Sequence, residues 1–130
     1  MNIEIEIDDK HIAGLLCSGF EGGVGYWCRI MDYKIPEEIH PVIDTEYVYK
    51  YCDYPLLPSG AVICRVIDEE GQTDESYTPL VLDREAIVRG LTLMAKSHPK
   101  HVGDFLSGNY DADTGDVFIQ LSLLGSIVYG

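Results

Sequence analysis

His98 and His101 flank Pro99, and two imidazoles so close in sequence could hold a zinc ion. The proline between them interrupts a shared helical face, no cysteine lies near, and a histidine at a helix C-terminus is favoured by its charge alone. Capping and exposure are the expected roles, and no metal ligand is assigned. Asp111, Asp113 and Asp116 around Gly115 have the composition of a calcium loop. The glycine is misplaced, and the twelfth position counted from Asp111 is Ser122 where such a loop needs glutamate. Carboxylates just ahead of an apolar helix are expected to cap it and complement its dipole. Gly22, Gly23 and Gly25 could cradle a phosphate, but such loops follow a strand and open a helix, whereas this one follows a helix and opens a strand. No Walker lysine comes after it, so a helix cap and a tight reversal are expected. A nucleophilic centre needs serine or cysteine with a histidine base and an orienting acid, and no local signature such as Gly-x-Ser-x-Gly is present. Glu37 and Glu38, as neighbours in extended chain, point apart and make a poor acid/base pair. The expectation is a protein without catalytic residues, cofactor or metal. An alternative is a small enzyme or ligand-binding protein with a pocket assembled in space around Trp27, His40 and a cysteine.

What the chain does offer is acids interleaved with aromatics. Asp44, Glu46, Tyr47, Tyr49, Tyr51, Asp53 and Tyr54 form one group, and the run from Asp68 through Glu69, Glu70 and Asp74 to Glu75 forms another. Tyrosine is favoured at binding hot spots because it joins a large rigid apolar area to a polar tip. Asp44, Glu46, Tyr49, Asp53, Asp68, Glu69, Glu70, Asp74 and Glu75 are therefore the expected partner-binding residues. The competing reading packs one tyrosine face under helices with its hydroxyls wet. Charge points the same way as the first reading: 22 acidic side chains against 9 basic ones give a net charge of −13. Such a field repels nucleic acid and anionic lipid and steers the molecule towards basic protein surfaces, including those that hold nucleic acid. Direct nucleic-acid binding and membrane binding are not expected. The plainer account of the acidity is solubility.

The elements that must position these residues follow from periodicity. Ile3, Ile5 and Ile7 alternate with Glu4 and Glu6 as in a half-buried strand. Asp8 and Asp9 then stand where a helix cap belongs, and Ile12, Leu15, Leu16 and Phe20 follow at helical spacing. Residues 24–31 are rich in β-formers and predict a second strand. Pro36 and Pro41 mark a connection. Residues 46–51 predict a strand with Tyr47, Tyr49 and Tyr51 on one face. After Pro55, Pro58 and Gly60, residues 61–67 predict another strand, the acidic turn at Asp68–Gly71 a reversal, and residues 77–82 a partner whose Pro79 suits a sheet edge. From Asp83 the period is helical through Ile87, Val88, Leu91, Met94 and Ala95 until Pro99. A short helical turn carries Val102, Phe105 and Leu106, and Val117, Phe118, Leu121, Leu124 and Val128 predict a last, buried helix. The expected fold is α+β: an antiparallel sheet of about four to five strands with helices on one face, and three helical segments in the C-terminal third.

A chain of 130 residues, 46% apolar and 24% charged, lies in the range of one domain able to bury its own core. No stretch approaches the roughly 18 apolar residues of a membrane span, and the opening residues have no leader character. The expected setting is the reducing cytosol, with Cys17, Cys28, Cys52 and Cys64 packed as small hydrophobes. Glu21-Gly22-Gly23 before Tyr26-Trp27, the run Leu82-Asp83-Arg84-Glu85-Ala86-Ile87 with Gly90-Leu91, and the stretch from Gly115-Asp116-Val117-Phe118 to Val128-Tyr129-Gly130 resemble small acidic proteins encoded by bacteriophages and prophages, mostly without assigned function. The resemblance implies a host-cell setting in which short, enzyme-free proteins bind a bacterial defence or replication protein, as anti-CRISPR proteins and DNA mimics do. With the charge, it makes the expected partner a host protein or ribonucleoprotein with a basic surface, bound by this chain as a monomer or homodimer; the further alternative is an accessory of virion assembly. No binding residue is carried over from it.

Overall fold

Asp8 accepts the Lys10 N–H at 2.9 Å and opens helix α1, Asp9–Gly22. The same device starts two more helices. Asp83 accepts the Ala86 N–H at 2.9 Å ahead of α2, Arg84–Ser97, and Asp111 accepts the Thr114 N–H at 2.7 Å ahead of α4, Ala112–Leu124. Between them lies α3, Pro99–Leu106. Pro99 was expected only to end a helix; it also begins the next, because a proline at the first helical position lacks only an N–H that would be unbonded there. These observations come from a computed structural model, which describes residues 6–39, 50–76 and 78–130.

The described strands are β1, Cys28–Lys34, β2, Ala61–Val66, and β3, Leu80–Leu82, in one antiparallel sheet of order β1-β2-β3. Pro79 does precede an edge strand. β1 begins later than the expected residue 24, because the Trp27 and Cys28 N–H groups both bond the Val24 carbonyl at 2.9 Å and hold a turn there. One sheet face, carrying Cys28, Ile30, Val62, Cys64 and Leu82, turns into the core; the other carries Arg29, Ile63, Arg65 and Val81.

The architecture is thus α+β, with three described strands where four to five were expected. Ile3 and Ile5 lie outside the described residues, and Glu6 and Ile7 are not in a strand. Residues 46–49 also lie outside. Tyr51, which was to end that strand, instead begins a 3-10 segment, Tyr51–Leu56. The reason is local: the Asp53 carboxylate accepts the Lys50 N–H at 2.8 Å and bends the chain where the alternation of tyrosines called for extension.

Helix α4 packs between α1 and α2. Close approach is possible because Gly19 of α1 meets Gly115 of α4 backbone to backbone, and Gly90 of α2 faces Ser122 of α4. Every residue from Phe118 to Ser122 is buried, as expected of a helix without a basic residue. It stops at Leu124, short of Val128, since Gly125 takes φ +78°, the left-handed cap. Trp27, Phe105, Phe118, Leu15, Leu16, Leu82, Met94 and Ile119 fill the centre. Among the described residues, no helix is long and apolar enough to cross a membrane.

Candidate functional site

The run Asp68 to Glu75 forms the connection that leaves β2. Its base is closed by the Ile67–Thr73 bridge, and its tip by bonds from the Asp68 N–H to the Gln72 carbonyl and from the Gly71 N–H to the Asp68 carbonyl, both 2.9 Å. Gly71, at φ +79°, supplies the left-handed residue the reversal requires. Asp68 Oδ1 accepts from the Glu70 and Gln72 N–H groups, each at 2.9 Å. Asp74 Oδ1 likewise accepts from the Ser76 N–H at 3.0 Å and from the Ser76 hydroxyl. The bonds from Ser76, its hydroxyl first, hold the Asp74 carboxyl below its usual value.

Two arginines brace this loop from the outer face of the sheet. Arg29 and Arg65 lie directly opposite one another, a pairing that like charges disfavour unless each has its own acceptor. Arg29 Nη2 donates to the Gly71 carbonyl at 2.6 Å, and Arg65 Nη1 to the Asp74 carbonyl at 3.4 Å. Glu69, Glu70 and Glu75 are exposed, and among the described residues none of the loop's bonds engages their carboxylates. The loop is therefore a fixed reversal that carries three outward acids.

The acidic surface continues beyond the loop. The Ile67 N–H bonds the Trp27 carbonyl at 2.9 Å, so Asp68 and Tyr26 emerge at the same end of the sheet. Tyr26, 51% exposed, donates its hydroxyl to Asp116 Oδ2 at 2.6 Å. Partial burial and this bond push the Tyr26 hydroxyl up to about 12, so that it stays a donor. A hollow of about 430 Å³ opens beside it, lined among others by His101, Asp113, Asp116, Gln120 and Tyr129.

Of the nine expected partner-binding residues, Asp68, Glu69, Glu70, Asp74 and Glu75 are brought together on this loop. Asp68 and Asp74 also serve as its internal braces. Asp53 is buried, with its carboxylate turned to Lys50, so it presents no acid to a partner. Asp44, Glu46 and Tyr49 lie outside the described residues, as does His40. Trp27, which was to line an enzyme pocket, is 1% exposed and donates its indole N–H to Asp116 Oδ1 at 2.8 Å. Tyr26, Asp116, Gln120 and Tyr129 were missed as a group, because no local spacing links residues about ninety positions apart.

The other candidate chemistry has local partners. His101 Nδ1 lies 2.8 Å from the hydroxyl of the buried Thr114, and the two histidine rings stand 6.2 Å apart at an angle. No cluster of three or more His, Cys, Asp or Glu suited to a metal ion occurs among the described residues. The four cysteines are free thiols. Burial pushes Cys52 up to about 12, and the bond with Cys28 together with burial raises Cys64 further, which disfavours the thiolate a nucleophile would need.

No protein family, curated protein or solved structure matches the chain.

Proposed function

We propose that this protein acts by binding. In this reading it lays its acidic loop against a basic, nucleic-acid-binding surface of a host protein or ribonucleoprotein and blocks it, in the manner of the small phage inhibitors it resembles. The observation that carries the proposal is the loop itself: Glu69, Glu70 and Glu75 project from a reversal that Asp68, Asp74, Arg29 and Arg65 fix from within. A preorganised charged surface loses little conformational freedom on docking, and its complementarity to a basic patch raises the association rate as well as selectivity. The exposed ring of Tyr26 at the same end adds an apolar contact beside the charges.

The test is capture from a bacterial lysate with the native protein and with the triple variant Glu69→Lys, Glu70→Lys, Glu75→Lys. The braces of the loop are untouched in that variant. Recovery of a nucleic-acid-binding protein that raised salt releases, that a DNA duplex competes off, and that the variant fails to retain is the expected result. A partner held equally by both proteins at every salt concentration would refute a role for the loop.

A further inference from the structure

Gln120 sits in the middle of α4 at 1% exposure, yet both ends of its amide grip a different segment of chain. Oε1 accepts from the Val128 N–H at 2.8 Å and the Tyr129 N–H at 2.9 Å, while Nε2 donates to the Tyr129 carbonyl at 3.0 Å and to Asp116 Oδ1 at 3.1 Å. One buried side chain thus reads main-chain groups of residues 128 and 129. The Tyr129 ring lies on the Trp27 indole, with centroids 5.2 Å apart and planes within 10°. Asp116 fixes that indole at its edge by accepting the ring N–H.

Recognition in this cradle uses backbone and a single aromatic ring. Ile127 and Val128 are largely exposed and add little buried side chain. The segment joins α4 through Gly125, whose left-handed conformation and open surroundings make it a natural joint. Tyr129 also lines two hollows, the one beside Tyr26 of about 430 Å³ and another of about 500 Å³ bordered by Arg65, Leu80 and Leu124. Tyr129 is thus a residue common to both linings.

We propose that Gln120, Trp27 and Asp116 form a peptide-binding cradle for a turned segment bearing an aromatic residue, and that residues 126–130 fill it in cis. An amide that accepts from two consecutive N–H groups and donates to the second residue's carbonyl reads main chain and no side chain, so the turned backbone of residues 128 and 129 is what it recognises, and the flat indole selects an aromatic at one position. The cradle borders the acidic loop through Arg65 and Asp74, but the proposal does not rest on the function proposed for that loop.

Trp27 is the only tryptophan of the chain, so its emission reports the cradle directly. In the full-length variant Tyr129→Ala the cis ring is gone and Gln120 remains. Titration with the peptide Ser-Ile-Val-Tyr-Gly is expected to shift Trp27 emission saturably back to the native position, with about tenfold weaker binding of Ser-Ile-Val-Ala-Gly. No saturable shift, or equal affinity for the two peptides, overturns the proposal. Should the variant fail to fold, the native protein serves: excess Ser-Ile-Val-Tyr-Gly is expected to accelerate hydrogen exchange at the Val128 and Tyr129 amides by displacing them. Exchange that the peptide leaves unchanged overturns the proposal equally.

Discussion

Asp116 is the residue on which one end of the molecule converges, since its carboxylate accepts from Tyr26, Trp27 and Gln120. The Tyr26 hydroxyl, raised by partial burial and by this carboxylate, sets the sign of a pH effect. Its folded value lies above its ordinary one near 10, so the stabilisation is fully present below pH 10 and is lost as pH climbs towards about 12. The thermal midpoint of the native protein is expected to fall more steeply across that window than that of Tyr26→Phe. Tyr51, raised chiefly by burial, contributes to the fall in both proteins, so the difference between the two curves isolates Tyr26. Parallel curves would mean that the bond to Asp116 is not maintained in solution. The caps were legible in sequence because an aspartate bonds an N–H two or three residues ahead, as Asp8, Asp83 and Asp111 do. Asp116 was read as one more of these first-turn acids. Its partners Tyr26 and Trp27 lie 90 and 89 positions away, where spacing carries no information.

At the level of elements, α1 and α2 were readable because each packs one apolar stripe, which periodicity reports directly, whereas α4 is buried on all sides from Phe118 to Ser122 and shows itself by its lack of basic residues. Among the described residues, the strands expected at 24–31, 61–67 and 77–82 each overlap an observed one. The tyrosine alternation ending at Tyr51 has the period of a strand, but the Asp53 carboxylate diverts the backbone into a 3-10 turn, an outcome that a count of apolar positions does not contain. Helix positions in space were not readable at all, because they depend on glycines whose partners lie on other helices. A Cβ on Gly115 would stand 2.5 Å from Gly19 Cα and 3.0 Å from the Leu15 carbonyl, against backbone that cannot move aside. Gly115→Ala is therefore expected to destabilise the protein by about 1–3 kcal/mol through forced separation of α1 and α4. Gly103, exposed on α3 with nothing near its absent Cβ, is the control: Gly103→Ala should stabilise by about 0.5–1 kcal/mol by removing unfolded-state freedom. Urea unfolding of the two variants measures both signs. A neutral Gly115→Ala would show that the helices separate without cost.

Over the whole molecule, 22 acids outnumber nine basic residues, and the four arginines also serve as hydrogen-bond donors to carbonyl oxygens. Arg29 bonds Gly71, Arg65 bonds Asp74, Arg84 bonds Leu56 and Arg89 bonds Ser122, so these guanidiniums join elements together. The acids are left to repel one another across the surface, and a net charge of −13 then opposes the compact state. Raising the ionic strength from about 0.01 M to 0.15 M shortens the screening length from about 30 Å to about 8 Å, which weakens repulsion between carboxylates farther apart than that. The thermal midpoint is accordingly expected to rise by a few degrees over that range. The variant with Glu69, Glu70 and Glu75 replaced by lysine should show a smaller rise, because it starts with less repulsion. Salt is thus expected to act in opposite directions on the two properties that the acids control, strengthening the fold while weakening the grip on a basic partner. A midpoint that falls with salt would reveal local compensation of the carboxylates, and the acidic loop would then lose the long-range steering that its proposed role requires.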